Sequence, residues 1–521
     1  MDSRIHRAKM PSQFAFAGYG EAIQTTGKSL NMYQFPNGLR IIYENPQTDI
    51  NITSIYCFCK IGSINEDDHT RGASHFIEHM CFQGTKKIKD TVQISETYDK
   101  FGAYFNAFTD KEVTCYTIKC PDEHLYPSLS LLSDLMFHSE FDKIKFDKEL
   151  QVVIQESVNS AEDYDAIKDD VMECMIFRGT PYENPVDSIK YHRGKTSQPF
   201  NYKDVVKMYQ TFYKPCNFVL SIVSNVPFQK ILNMIKKTYF AKIHSISSCT
   251  REEPLNIYVS SKQDELNACE GKFQYMCIKK PGNKTTKISI GFQTCSYFHK
   301  DMYKLELIKV IVGEMFSSRL FNTLRNKNGL TYNSFVYTRY LGHSGYFSIE
   351  ALTEYNKLLV NKSGGGRKSF FHFFSKTKKR GFYGGKGTRK KKVIHSHISE
   401  SKSKKKGVFP ILIDIINDLV KNGFTQKDLD LAKNFKKARI TMHVSNIDNM
   451  ASFNGENVLL KGFSKDTPSS LKNLYKKEYE PITLKEINDC IQRYFIKSNM
   501  KIFMIGEHVL SEAIVKKEVH F

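Results

Sequence analysis

The sequence predicts an α+β protein of two homologous halves, each a mostly antiparallel sheet backed by helices. Three observations carry this. β-like runs such as "LRIIYE" (39–44) and "KISIGFQT" (287–294) alternate with long amphipathic helical stretches. The stretch 129–153, "LSLLSDLMFHSEFDKIKFDKELQVV", has a counterpart at 411–435, "ILIDIINDLVKNGFTQKDLDLAKNF". The chain of 521 residues also exceeds what one ordinary core spans.

The duplication is detailed. Each copy has an amphipathic helix ending near a Ser-Asp-Leu or Asn-Asp-Leu step, then a turn led by Phe141 or Phe424, then a second, charged amphipathic helix. A β-like run precedes each copy, "EVTCYTIKC" (112–120) and "GYFSIEALT" (345–353). Along the chain, residues 1–27 read as a flexible N-terminus. Their first twenty residues lack the apolar core of a secretory signal, and Arg4, Arg7 and Lys9 against Asp2 give them only the weak character of a mitochondrial transit peptide. The first half is placed at 28–250, a polar connector at 251–274, and the second half at 275–521.

Hydrophobic residues at 40%, aromatics at 13% and charged residues at 25% describe a globular chain rather than a disordered one. No stretch approaches the ~20 uninterrupted apolar residues of a membrane span. The twelve cysteines are scattered without a Cys-x-x-Cys pair. They read as small apolar thiols in a reducing compartment, the cytoplasm or the mitochondrial matrix, and argue against a cysteine zinc site.

The net charge of +21 is local. Residues 362–407 hold 16 lysines and arginines against one acid, Glu400, a net +15 that leaves +6 for the rest. This Gly-, Ser- and Lys-rich stretch reads as a flexible insertion within the second half. Any contact with nucleic acid or an anionic surface runs through it, although its lysines lack an aromatic platform or a groove-reading helix.

The chemistry starts at "RGASHFIEHM" (71–80). In a helix, His75, Glu78 and His79 project from one face, with Phe76, Ile77 and Met80 opposite. Two imidazoles one turn apart suit a Zn²⁺ ion, and a neighbouring carboxylate can take a proton from the water in a catalytic zinc's open position. A third ligand is needed. In "KELQVVIQESV" (148–158), Glu149, Val152, Val153 and Glu156 form one helical stripe that should be buried, and buried carboxylates need a partner. Spacing leaves open which glutamate binds the metal.

With these motifs the sequence resembles the pitrilysin, insulysin and mitochondrial processing peptidase family of inverted-motif zinc metalloproteases, whose signature is His-x-x-Glu-His. "FPNGLRIIYE" resembles the family's opening strand, "GASHFIEHMCFQGTKK" its zinc helix, and "GAYFNAFTDKEVTCY" the strand and turn that hold substrate. The resemblance implies a processing-peptidase-like metallohydrolase fold with one zinc per chain. It makes Glu156, 77 positions after His79, the third ligand beside His75 and His79, with Glu149 a supporting carboxylate. It makes Glu78 the general base, with peptide running along Phe105, Asn106 and Ala107.

In "FSSRLFNTLRNKNGLTY", Arg325 and Tyr332 fall on the family's Arg and Tyr that face the zinc across a chamber. The resemblance therefore implies an endopeptidase acting on peptides or unfolded segments. The size resembles the two-domain branch, which closes its chamber by pairing chains, as a homodimer or as a heterodimer with a related subunit. A non-catalytic relative like the core proteins of the respiratory cytochrome complex is the alternative.

Overall fold

The computed structural model describes residues 22–24, 30–187, 191–192, 195–196, 200–243, 274–282, 284–331, 333–360, 406–462 and 471–519. Most of the expected terminus, the connector up to residue 273 and insertion residues 362–405 lie outside the described residues.

The first half runs β1 (Ala22–Gln24), β2 (Leu30–Gln34), β3 (Arg40–Glu44), β4 (Ile52–Cys59), α1 (Ala73–Met80), α2 (Thr91–Lys100), β5 (Tyr104–Thr109) and β6 (Thr114–Pro121). It continues with α3 (Leu125–His138), α4 (Lys143–Ser160), α5 (Tyr164–Ile176), the hairpin of β7 (Tyr191–His192) and β8 (Lys195–Thr196), α6 (Tyr202–Phe212), β9 (Phe218–Val223), α7 (Phe228–Ile235) and α8 (Tyr239–Lys242). The second half runs β10 (Gln274–Lys279), β11 (Thr285–Thr294), α9 (Asp301–Lys309), β12 (Asn333–Tyr340) and β13 (Gly345–Glu354). Then come α10 (Val408–Asn422), α11 (Gln426–Val444), α12 (Ile447–Lys461), α13 (Leu471–Leu474), α14 (Leu484–Tyr494), β14 (Met500–Gly506) and α15 (Glu512–Glu518).

Two mixed sheets result. Their strand orders are β1-β2-β3-β9-β4-β6-β5 and β10-β14-β11-β13-β12. Without β1 and β2, the first order matches the second strand for strand. In each, one parallel pair (β3 with β9, β10 with β14) is followed by antiparallel neighbours. The twin helix pairs α3–α4 and α10–α11 follow the corresponding hairpins, as the sequence repeat predicts. The second helix of each pair starts on a capping side chain: Asp142 accepts from two amides of α4, and Thr425 forms a capping box with Asp428 on α11.

Three boundaries differ from the sequence reading. β1 lies inside the stretch expected to be flexible, because Ala22–Gln24 pairs with Asn31–Tyr33. Gln274 opens β10 rather than ending a connector. At the insertion, Lys406 returns to form an antiparallel bridge with Val360, and the Gly407 amide donates to the Leu359 carbonyl at 2.9 Å. Nine described cysteines are free thiols, but Cys216 is disulfide-bonded, so the all-thiol reading fails there.

Each half has its own core, one around Ile41, Phe76 and Leu132, the other around Ile290, Leu412 and Ile502. The halves also exchange a helix. α5 lays Met172 and Ile176 on the second sheet against Phe503 and Ile505. α12 crosses the first sheet so closely that a Cβ at Gly455 would sit 2.5 Å from the Phe58 ring, and only glycine fits. Lys168 of α5 is buried with its ammonium 2.9 Å from the Glu350 carboxylate on β13, which ties one half to the other.

Removing one member of a buried pair leaves a desolvated charge. Lys168→Met should cost about 3–5 kcal/mol in urea unfolding, and Lys168→Met/Glu350→Leu should recover most of it.

Candidate metal centre

α1 begins at Gly72, whose φ of 82° lies in the left-handed region and which has no side chain to cap the helix. Glu66 does this from the preceding turn. Its two oxygens accept the Gly72 and Ser74 amides at 2.7 and 2.8 Å. The apolar face of α1 then docks. The Phe76 ring lies 4.6 Å from that of Phe146 on α4 and 5.1 Å from that of Phe200. This packing turns the polar face of α1 toward α4.

There the two imidazoles meet two carboxylates. His75 Nε2 and His79 Nε2 are 3.2 Å apart. Glu156 Oε2 lies 3.4 Å from His79 Nε2 and 3.9 Å from His75 Nε2. One ligand atom from each of these three residues lies within 4.8 Å of the others. Glu149 sits differently: its Oε1 is 2.8 Å from His79 Nδ1, on the far side of the ring. The two glutamates that spacing could not separate therefore have different geometries. Val152, expected on the buried stripe with them, is 41% exposed, because only Glu149 and Val153 turn fully inward.

The donor set fits a divalent cation. Burial and the neighbouring His79 push His75 down to about 4, so it stays neutral at physiological pH. Burial would lower His79 too, but its hydrogen bond to Glu149 and the charges of Glu156 and Glu149 outweigh that and raise it. With an Nδ1 proton on Glu149, His79 presents the Nε2 lone pair to its neighbours. Two Nε2 lone pairs facing at 3.2 Å beside a carboxylate oxygen form an N₂O set of the kind that holds zinc, and they repel unless a proton or a cation lies between them. Glu156 is 46% exposed at the mouth of this group, which leaves room for a further ligand.

Glu78 lies on the same turn and is buried. Its Oε2 accepts the Thr109 hydroxyl at 2.6 Å. Burial raises its pKa, and Thr109 partly offsets this. Thr109 ends β5, the edge strand of the first sheet. On β5, Phe105 faces inward, stacked on Tyr98 at 4.5 Å, while Asn106 is exposed between Tyr104 and Phe108. The outward side chains of this edge are thus Tyr104, Asn106 and Phe108; Phe105 and Ala107 back it. Arg325 is exposed, its guanidinium 4.9 Å from the Phe321 ring. Tyr332 lies outside the described residues.

Thr109, Glu66, Tyr104 and Phe108 were missed in the sequence. Thr109 is an ordinary strand residue until the hairpin brings it over α1, and Glu66 is one of several acids in a polar turn. The strand alternation could have flagged Tyr104 and Phe108.

The second half holds a different cluster at the corresponding place. Between Asp301 and Glu314, along α9 and the wide turns that continue it, there is no histidine. Glu306 of α9 is 2.7 Å from the Lys436 ammonium on α11 and accepts the Thr338 hydroxyl of β12 at 2.7 Å. Lys309 lies 3.6 Å from Glu306 and 3.1 Å from Glu314. Burial opposes the Glu306 charge, yet the two lysines hold its carboxyl down to about 2.

Fold and site together define a two-half α+β protein with an inverted His-x-x-Glu-His donor set in its first half. The family described as Insulinase (Peptidase family M16) matches residues 40–188, and its companion, described as Peptidase M16 inactive domain, matches residues 199–382. An uncharacterized zinc protease of Rickettsia bellii is 31% identical over 333 residues, 64% of this chain and 75% of the relative. The uncharacterized zinc protease YmxG of Bacillus subtilis is 25% identical over 466 residues, 89% of this chain and 96% of the relative. The crystal structure of a protease from Helicobacter pylori superposes with a TM-score of 0.69 at 19% identity, covering 92% of this chain and 99% of that one. The chain belongs to the peptidase M16, or insulinase, family.

The buried Glu66 carboxyl gives a pH test. Burial lifts it from 4.5 to about 7, against its hydrogen bonds from Gly72 and Ser74. A raised folded-state pKa adds stability that is complete below about 4.5 and is lost as pH rises through about 7. Relative to Glu66→Gln, which does not titrate, the wild type should lose about 3 kcal/mol across that window, read by urea unfolding at stepped pH.

Proposed function

We propose that this chain is a zinc-dependent endopeptidase of the processing-peptidase type, cleaving peptides or unfolded segments. The observation that carries this reading is the approach of His75, His79 and Glu156 to one point, with the Glu78 carboxylate on the same turn of α1. His75, His79 and Glu156 hold one metal ion per chain, and Glu149 orients His79. Zinc, when bound, polarises the scissile carbonyl and acidifies water.

Glu78 takes a proton from the attacking water and delivers it to the leaving amine. A buried carboxyl with a raised pKa suits both steps. Thr109 fixes the oxygen of Glu78 that it touches and leaves the other free for the water.

The substrate adds as an extended strand to the open edge of β5. Backbone pairing there tolerates many sequences, so specificity is loose. Asn106, Tyr104 and Phe108 offer the outward contacts along this edge, backed by Phe105 and Ala107. By the resemblance, Arg325 holds a substrate carbonyl and Tyr332 donates to the developing oxyanion. A second chain, identical or related, completes the chamber. A non-catalytic relative of the same fold is the competing reading.

Glu78→Gln should abolish cleavage of a fluorogenic peptide while metal analysis still finds one zinc per chain. Normal turnover by that variant would remove Glu78 as the base, and a wild type holding zinc without peptidase activity, alone or with a related subunit, would favour the non-catalytic reading. Thr109→Val should lower kcat about 10- to 100-fold, the worth of a hydrogen bond to a charged group. It should also move the acid limb of the kcat profile to higher pH, because Thr109 lowers the Glu78 pKa.

A further inference from the structure

Gln83 follows α1 by one turn and belongs neither to the three donors nor to the proposed chemistry. Its Nε2 donates to Glu149 Oε2 at 2.7 Å, while Glu149 Oε1 meets His79 Nδ1 at 2.8 Å. The buried carboxylate is thus held at both oxygens by different donors. The other end of the amide, Gln83 Oε1, lies 3.3 Å from the Thr91 hydroxyl, whose one proton is shared with the nearer Phe82 carbonyl at 2.9 Å. An ionised carboxylate only accepts, so the amide turns its NH₂ to Glu149 and its oxygen to Thr91.

The loop carrying Gln83 is clamped to the α3–α4 corner. Gly84 has a φ of 122°, and a Cβ there would lie 2.6 Å from the Lys89 carbonyl. The Gly84 carbonyl accepts the Glu140 amide at 3.0 Å. Thr85 bridges to Ser139, and its hydroxyl donates to Asp134 at 2.6 Å. Gln83 is therefore fixed relative to α4, the helix that carries Glu149 and Glu156.

We propose that Gln83 is a positioning residue of the metal centre. By occupying the second oxygen of Glu149 it stops that carboxylate from rotating, keeps the first oxygen on His79 Nδ1, and so holds the Nε2 lone pair of His79 toward His75 and Glu156. The inference rests on the reading that these three residues bind a divalent metal. Outer partners of this kind orient the ring and raise its basicity, and their loss weakens metal binding about 10- to 100-fold.

Gln83→Met keeps the length and removes the donor, and Gln83→Lys restores a donor of similar reach. Zinc dissociation constants are measured by competition with a chromophoric chelator, the visible spectrum is recorded after Co²⁺ loading, and the metal-free proteins are unfolded in urea. Gln83→Met should bind zinc about 10- to 100-fold more weakly with an altered Co²⁺ spectrum and an unchanged metal-free urea midpoint, and Gln83→Lys should regain most of the affinity. Wild-type affinity in Gln83→Met would overturn the proposal. So would a loss that tracks a lowered urea midpoint, or one that Gln83→Lys leaves unrepaired. A wild type that takes up no stoichiometric zinc would instead overturn the metal reading beneath it.

Discussion

The packing of α1 on α4 is the constraint on which the site depends. Neither helix carries a complete donor set: α1 brings two imidazoles and α4 a carboxylate. What sets their relative position is apolar, the Phe76 and Phe146 rings at 4.6 Å, backed by Phe200. Burying these aromatics gives the driving force, and their shape sets the register. The polar contacts then select among small displacements. Glu149 on His79 and Glu66 on the helix start each fix one end of the motif, so the imidazoles are placed before any metal arrives.

The duplicated halves show how one scaffold supports two electrostatic solutions. In both, the helix after the third strand of the shared five-strand order (α1 after β4, α9 after β11) faces the second helix of the twin pair across a buried polar gap. In both, a threonine on the edge strand donates to a glutamate on the first of these helices. In the first half the gap is lined by imidazoles and carboxylates and, among the described residues, no lysine or arginine enters it. In the second half, Lys309 and Lys436 supply the positive charge from within the chain, and Glu306 is ionised by them. Among the described residues this group has its own lysines and no imidazole, a poor donor set for a metal, and Glu306 and Lys309 fall within the residues matched by the domain described as inactive. The exchanged helices α5 and α12 make both halves necessary to the fold, whatever chemistry each performs.

The fold class was legible because duplication is a long signal. The helix–turn–helix copies at 129–153 and 411–435 fixed the order of two equivalent units, and each strand next to them follows the order of its twin. The site was legible where its residues share a helical face, as His75, Glu78 and His79 do. It was not legible across elements. Spacing on α4 could not separate Glu149 from Glu156, because the distinction is which side of the His79 ring each reaches. Val152 shows the same limit, since a stripe on a helical wheel says nothing about how wide the neighbouring helix is. Thr109, Glu66 and Gln83 are unremarkable in sequence and acquire a role only when the chain returns over α1. The exchange of α5 and α12 left no periodic trace, because a helix that covers a foreign sheet is as amphipathic as one that covers its own.

In the proposed reaction the edge strand would join substrate placement to proton transfer. Among the described residues β5 has one strand neighbour, β6, and its other edge offers backbone donors and acceptors in a row. The same strand ends at Thr109, whose hydroxyl grips Glu78. A peptide paired along β5 would be in register with the residue that positions the base, through a backbone that cannot stretch. The scissile carbonyl would be located by counting residues from Thr109 rather than by recognising a side chain. Loose sequence preference and a fixed distance from the proposed base to the backbone would then have one origin. Burial of Phe105 against Tyr98 supports the same geometry from behind, because it stops the strand from rolling and moving Thr109 off the carboxylate.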